Sequence, residues 1–248
     1  MKGKYVNRLL LCTFTAFIIG CGSCAHGGPQ LSVVEKLPRQ SFMLVKNSMI
    51  LQGCILPNDK GEKEECNKAR WTATSSGMVV LHSEITTDVS YVLTAGHSCE
   101  ERKFAKRIID GVEIQKIGTS YEVISYHGRR HQAVVMAINK RWDLCLLHVK
   151  GVSRNIKAVP IAKEAPKRGV KYYNLAAPHG LFGSEMVLTF DGYYSGNFMA
   201  GYDTYTITTK PGSSGSAILN SEGEIVGVIF AGFPSVEKVG LSPVFGSI

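Results

Sequence analysis

Three short stretches of this chain carry residue types suited to acyl transfer. In Lys210-Pro211-Gly212-Ser213-Ser214-Gly215-Ser216 a serine lies between glycines in a tight turn, and the apolar run Ala217 to Leu219 leads straight out of it. Such a turn exposes the Ser214 hydroxyl while the backbone N–H groups of Gly212, Ser213 and Ser214 point into one concavity. Donors fixed in that way stabilise charge that appears only in a transition state. Glycine suits the turn because its dihedrals would be forbidden to a residue with a side chain. A Ser/Gly turn alone is common, and two upstream stretches give it meaning. Val92-Leu93-Thr94-Ala95-Gly96-His97-Ser98-Cys99 is a hydrophobic strand that turns abruptly into a histidine. Trp142-Asp143-Leu144-Cys145-Leu146-Leu147 sets an acid at the mouth of an apolar strand. A hydroxyl nucleophile needs a base to take its proton, and the base needs an anion to fix its tautomer and stabilise the imidazolium. The chain supplies these groups in the order His97, Asp143, Ser214. Asp143, among apolar neighbours, would be costly to bury without hydrogen bonds, which a partner histidine provides.

Short β-type runs separated by turns must position these groups, since little helical periodicity is present from Ser41 onward. Strands are expected at Phe42–Lys46, Met49–Leu56, Trp71–Leu81, Val89–Thr94, Val112–Ile117, Tyr121–Tyr126, Gln132–Ile138 and Asp143–Val149. Further runs are Ala158–Ile161, Lys171–Ala176, Met186–Phe190, Tyr202–Thr208, Ser216–Leu219, Ile225–Phe230 and Val239–Val244. Many short strands at regular spacing predict an all-β protein of antiparallel barrels or sandwiches, not a βαβ sheet. Gly, Ser, Asn and prolines collect between Lys150 and Pro166. The expected organisation is therefore a barrel over 41–150, a linker over 151–166 and a second barrel over 167–248.

Composition agrees with a compact, turn-rich chain: 248 residues, 44% hydrophobic and 19% charged, with 26 Gly and 9 Pro. The net charge of +8 is scattered, with short clusters such as Arg102-Lys103 and Arg129-Arg130. No long basic run interleaves with aromatics, so a solvated basic surface is expected and no nucleic-acid partner. Lys2, Lys4 and Arg8 precede the apolar run Leu9 to Ile19, which is short for a membrane span and fits a signal peptide over 1–20. Ile18-Ile19-Gly20-Cys21 resembles the bacterial lipobox, which implies lipidation of Cys21 and membrane anchoring outside the cytoplasm. An ordinary signal peptide cut nearby, or an uncleaved anchor, are the alternatives. Residues 21–40, with Gly27-Gly28-Pro29, read as a tether.

Export permits disulfides. Cys54 and Cys66 flank the turn-like Pro57-Asn58-Asp59-Lys60-Gly61 and could close a hairpin, with Cys99 able to compete for either; Cys145, inside an apolar run, is expected to be a buried free thiol. No Cys/His spacing suits zinc, so neither a metal nor another cofactor is expected. His26, His82, His127, His131, His148 and His179 read as surface or satisfied core residues, although the loop of His179 could line a cleft. Tyr193-Tyr194 and Tyr202 to Tyr205 read as strand packing.

Thr94-Ala95-Gly96-His97, Asp143-Leu144 and Gly212-Ser213-Ser214-Gly215 together resemble the three motifs of the trypsin-like serine peptidases, most closely the Deg/HtrA branch. The likeness covers roughly residues 70 to 245 and extends to linking segments: Ser76-Gly77-Met78-Val79-Val80, His127 to Asp143, Ala177-Pro178-His179-Gly180-Leu181, and Asn220 to Gly227. The resemblance implies two six-stranded antiparallel β-barrels with the active site in the cleft between them. It implies His97 as general base, Asp143 as its orienter and Ser214 as nucleophile, with an oxyanion hole made by the N–H groups of Gly212 and Ser214. Polypeptides would be the substrates. In the family the primary pocket is shaped by the positions that match Thr208 and Ile229-Phe230-Ala231-Gly232. A neutral Thr208 argues against Lys or Arg at that subsite and for small or medium apolar side chains.

Departures from the family pattern also carry expectations. Ser213 stands where classical trypsins have an Asp, so activation by a freed N-terminus is not expected. Ser216 replaces a second glycine, as in some viral relatives. The chain ends soon after the last barrel strand, so no PDZ domain is expected. The competing reading is a catalytically inactive, peptidase-like lipoprotein that binds peptides or partners. An esterase of the α/β-hydrolase type is disfavoured, because its order is Ser, Asp, His and it needs strand–helix alternation.

Overall fold

Side chains that alternate between two apolar environments dictate the architecture seen in the computed structural model, which describes residues 32–55, 65–199, 201–233 and 235–248. The signal segment 1–20, Cys21, the tether through residue 31 and the turn Pro57 to Gly61 lie outside the described residues. The first barrel comprises β1 (Phe42–Ile55), β2 (Glu65–His82), β3 (Val89–Ala95), β4 (Arg107–Ile109), β5 (Val112–Ser125), β6 (Arg130–Asn139) and β7 (Leu144–Lys150). Its antiparallel order is β1-β2-β3-β7-β6-β5, and a β1–β5 ladder closes the ring while β4 hangs on β5. Closure removes the edges of the ring itself, while β4 and the Glu65–Ser76 part of β2 each keep a single strand partner.

The second barrel comprises β8 (Lys171–Ala176), β9 (Leu188–Phe198), β10 (Tyr202–Tyr205), β11 (Ala217–Leu219), β12 (Ile225–Val228), β13 (Ala231–Gly232) and β14 (Gly240–Pro243). Its order is β12-β11-β8-β9-β10-β14-β13. Between β12 and β13 the chain stays engaged: the Ile229 N–H donates to the Ser216 carbonyl and the Phe230 N–H to the Leu241 carbonyl. The Val228 N–H also donates to Ser242 Oγ at 2.9 Å. Residues 225–232 thus act as one stave, and the structure is the expected pair of six-staved barrels.

Period-2 burial explains why the barrels hold a fixed relation. On β1, Met43 and Val45 point into the first barrel with Val92 and Leu147, whereas Phe42 and Leu44 join Leu175, Leu219 and Ile225 in a core between the barrels. A third cluster, including Tyr205, Ile207 and Ile218, fills the second barrel. The linker is packed as well, with Ile156 in the first core, Val159 between the barrels and Ala162 in the second.

Several elements differ from expectation. Polar Asn47 and Ser48 do not interrupt β1, because Ser48 Oγ is bonded to Thr72 Oγ1 at 2.8 Å across the ladder. Tyr121–Tyr126 and Val112–Ile117 merge into the single strand β5. Ala158–Ile161 contributes only an isolated bridge from Ile161 to Ile225. The described end of the tether is ordered: Ser32 caps the helical turn Val33–Lys36 in a reciprocal box with Glu35, and Leu37 enters the inter-barrel core. Cys54 pairs with Cys66, directly opposite on β1 and β2. The expectation of a free Cys145 thiol is corrected, since Cys145 is bridged to Cys99. That pairing joins two segments distant in sequence, and apolar burial suits a disulfide as well as a thiol. Among the described residues no helix is long and apolar enough to cross a membrane.

Candidate active site

β3 ends at Ala95, and the chain tightens into the single 3₁₀ turn Gly96–Ser98, which lifts His97 out of the sheet. Alongside it, Asp143 takes a left-handed backbone conformation (φ 51°) immediately before β7 begins. Three hydrogen bonds join the two segments. The Gly96 N–H donates to the Asp143 carbonyl at 2.7 Å. The His97 N–H donates to Asp143 Oδ1 at 2.6 Å, and His97 Nδ1 lies 2.6 Å from Oδ2. A carboxylate only accepts, so Nδ1 carries the ring proton and Nε2 presents its lone pair away from Asp143. Gly96 is fixed by space, because a side chain there would meet Asp143 Oδ1 at 2.8 Å. The disulfide reinforces this pairing, for Cys99 and Cys145 each lie two residues beyond His97 and Asp143 respectively.

The Ser214 turn belongs to the second barrel but is held by the first. The Ser76 N–H donates to the Ser214 carbonyl at 2.8 Å. Ser76 Oγ donates to the Gly212 carbonyl at 2.9 Å and accepts from the Ala177 N–H at 3.0 Å. Thr94 Oγ1 donates in turn to the Ser76 carbonyl at 2.7 Å. At Gly215 (φ 83°) a side chain would be driven into the Ser76 carbonyl and the Thr94 hydroxyl, so both dihedral and space demand glycine. Gly212 (φ 96°) is similarly pressed, with the Ala177 carbonyl 2.5 Å from where a Cβ would stand.

Within the turn the N–H groups of Ser213, Gly215 and Ser216 are spent on the carbonyls of Lys210, Ile229 and Ser213. Those of Gly212 and Ser214 have no acceptor among the described residues. The Pro211 carbonyl accepts from the His179 N–H at 2.5 Å. In a trans peptide the N–H points opposite to the carbonyl, so this bond turns the Gly212 N–H away from His179. Ser214 Oγ lies 3.4 Å from the Phe230 carbonyl and makes no bond to the His97 ring.

Two cavities meet at Ser214. One, of about 280 Å³, is lined by His97, Ser98, Asn47, Thr74, Arg102 and Gly212, among others. The other, of about 330 Å³, is lined by Thr209, Lys210, Ile229, Ala231, Gly232 and Phe233, with the exposed Glu237 beside them. Thr208, expected in the same pocket as Ile229 and Ala231, lines a neighbouring cavity with His179, Leu181 and Phe190 instead. Thr209, the next residue, lines the cavity with Ile229 and Ala231. Phe230 contributes its carbonyl rather than its ring to the wall near Ser214.

The remaining histidines are accounted for where described. His82 sits between Ser90 Oγ and the Ile156 carbonyl, His127 Nδ1 lies 3.4 Å from Glu185 Oε1, His131 contacts the Lys150 carbonyl, and His148 packs edge-on to Tyr91; His26 lies outside the described residues. Among the described residues no three His, Cys, Asp or Glu side chains gather as a metal site requires. Asn47 escaped the sequence reading as a site residue. Its Nδ2 donates to the carbonyls of Ser98 and Glu100 at 3.0 and 3.3 Å and so fixes the segment that follows His97.

The trypsin-like peptidase domain model matches residues 75–228, which include His97, Asp143 and the Ser214 turn but neither Asn47 nor the wall from Ile229 to Phe233. No curated protein matches the chain. Among solved structures it is similar to the serine endoprotease from Yersinia pestis, with 18% identity, a TM-score of 0.58, and coverage of 88% of this chain and 64% of that one. It is also similar to the HtrA-type protease AlgW with decapeptide (15% identity, TM-score 0.58, 86% of this chain and 63% of that one). For the Rv3671c protease from M. tuberculosis, active form, the values are 15%, 0.56, 86% and 79%. The chain thus spans less than two thirds of the Yersinia and AlgW proteins, and at these identities the likeness is one of fold.

Proposed function

Given that the chain belongs to the trypsin-like peptidase family, we propose that it is a serine endopeptidase acting through an acyl-enzyme on Ser214. The observation that carries this reading is that His97, doubly bonded to Asp143, shares a cavity with Ser214, in a turn whose Gly212 and Ser214 N–H groups have no acceptor among the described residues. In the proposed cycle the Ser214 side chain turns from the Phe230 carbonyl toward His97 Nε2, which takes the hydroxyl proton as Oγ attacks the scissile carbonyl. The two free N–H groups stabilise the oxyanion. His97 then passes the proton to the leaving amine, and the same ring activates water to release the acyl group. Asp143 stays ionised and holds the tautomer. No cofactor enters the cycle.

Peptide substrates fit the bound decapeptide in AlgW. The Ile229, Ala231 and Phe233 wall supports small or medium apolar side chains on the acyl side; cleavage profiles dominated by Lys or Arg at that position would contradict this. Two disulfides fit an extracytoplasmic setting. Anchoring through Cys21 predicts partition into a detergent phase that Cys21→Ala abolishes, and unchanged partition would rule it out.

The proteolytic reading is tested by incubating the protein with casein and mapping new N-termini by mass spectrometry. Wild type should generate them and Ser214→Ala should not. The 3.4 Å contact of Ser214 Oγ with Phe230 favours a second reading, a peptidase-like binding protein without turnover. Folded wild type that binds casein but leaves it intact would support that alternative.

A further inference from the structure

Among the described residues, the cavity that holds His97 and Ser214 is lined by one fixed cation, Arg102, and by no carboxylate. Asn47, Thr74, Ser75 and Ser98 give it neutral polar walls. Arg102 is half-buried, and its guanidinium lies 4.2 Å from the centre of the Trp71 ring. Stacking on an aromatic face orders a side chain that would otherwise wander, while leaving the guanidinium edge and its donors free. The backbone beneath is tied down too, since the Arg102 carbonyl accepts from Lys116 Nζ at 2.9 Å. The neighbouring Glu101 is paired to the same ammonium at 2.6 Å. Among the described residues no ion pair or side-chain hydrogen bond engages the Arg102 guanidinium, which stacks on Trp71 and presents its charge to the cleft.

The chemistry of the site decides which part of a substrate meets this charge. His97 must deliver a proton to the leaving amine, so the leaving peptide lies on the His97 side of Ser214. The acyl portion lies toward Ile229 and Ala231. We propose that Arg102 selects substrates carrying a carboxylate within the first residues after the scissile bond, an Asp or Glu side chain or a nearby chain terminus. The proposal rests on the peptidase reading above. A planar guanidinium can hold a carboxylate through two parallel hydrogen bonds, and charge-assisted bonds of this kind are the strong ones.

The test uses internally quenched peptides that share one cleaved bond and differ after it, bearing Glu, Gln or Lys at the first and second positions. Each rate is divided by the same enzyme's rate on a p-nitrophenyl ester, which has no residues on that side. For wild type the normalised kcat/KM should favour Glu over Lys by ~10-fold, the scale of a hydrogen bond to a charged group. Arg102→Glu should invert the order, and Arg102→Lys should keep its sign with a smaller ratio. Equal rates for the three peptides in wild type, or a preference for Glu that survives Arg102→Glu, would overturn the proposal while the ester rate leaves the peptidase reading standing. Wild type that hydrolyses neither the ester nor any peptide overturns the peptidase reading, and this proposal with it.

Discussion

Asp143 reaches His97 with both carboxylate oxygens, one on the backbone N–H and one on the ring. Loss of charge there should act on the tautomer rather than on the fold. Asp143→Asn is expected to lower kcat about 10⁴-fold, the scale for a trypsin-type triad whose histidine is held in the wrong tautomer. Steady-state kinetics beside circular dichroism measure this, and near-full activity would remove Asp143 from the mechanism. These residues were legible from sequence because the chemistry restricts residue type and each lies in a local strand-to-turn pattern. Ser76 was visible only as part of a family-like strand, and its role was hidden. Its side-chain partners Gly212 and Ala177 lie 136 and 101 residues away, and nothing local marks such a bond. Ser76→Ala leaves a buried carbonyl and a buried N–H unpaired, which should cost roughly 2 kcal/mol or more of stability. Because the freed carbonyl belongs to Gly212, kcat should also fall while KM changes little. A stability loss with unchanged kcat would make Ser76 a packing residue alone.

At the scale of elements, the segment carrying His97 and the strand β7 that follows Asp143 are joined by hydrogen bonds, by the β3–β7 ladder and by the Cys99–Cys145 bridge. The bridge closes a loop with a sequence separation of 46 and should stabilise the fold by about 4 kcal/mol on a chain-entropy account. Replacing both cysteines by alanine should lower the Tm and the rate together, since the same link restrains two site segments. Differential scanning calorimetry paired with ester hydrolysis measures both, and an unchanged rate in the folded variant would confine the bridge to stability. The strand pattern was legible because alternation is local, and β8 falls where the spacing predicts it. Cysteine pairing was legible only in part: proximity in sequence favoured Cys54 with Cys66, the pair that forms, but left Cys99 as a competitor and gave no sign of a partner for Cys145. The three-residue β4 and the two-residue β13 are too short to carry a periodic signal.

At the scale of the molecule, β1 and the linker together contribute to all three apolar cores, so that two barrels meet as one scaffold. That scaffold brings a base from the first barrel and a hydroxyl from the second to a common cavity. The most direct measurement is labelling with a fluorophosphonate, which forms a covalent adduct only with an activated serine. The account predicts that the folded wild type is labelled stoichiometrically, that peptide mapping places the adduct on Ser214, and that Ser214→Ala and His97→Ala are not labelled. Folded wild type that takes no label, or an adduct on any other serine, would contradict it.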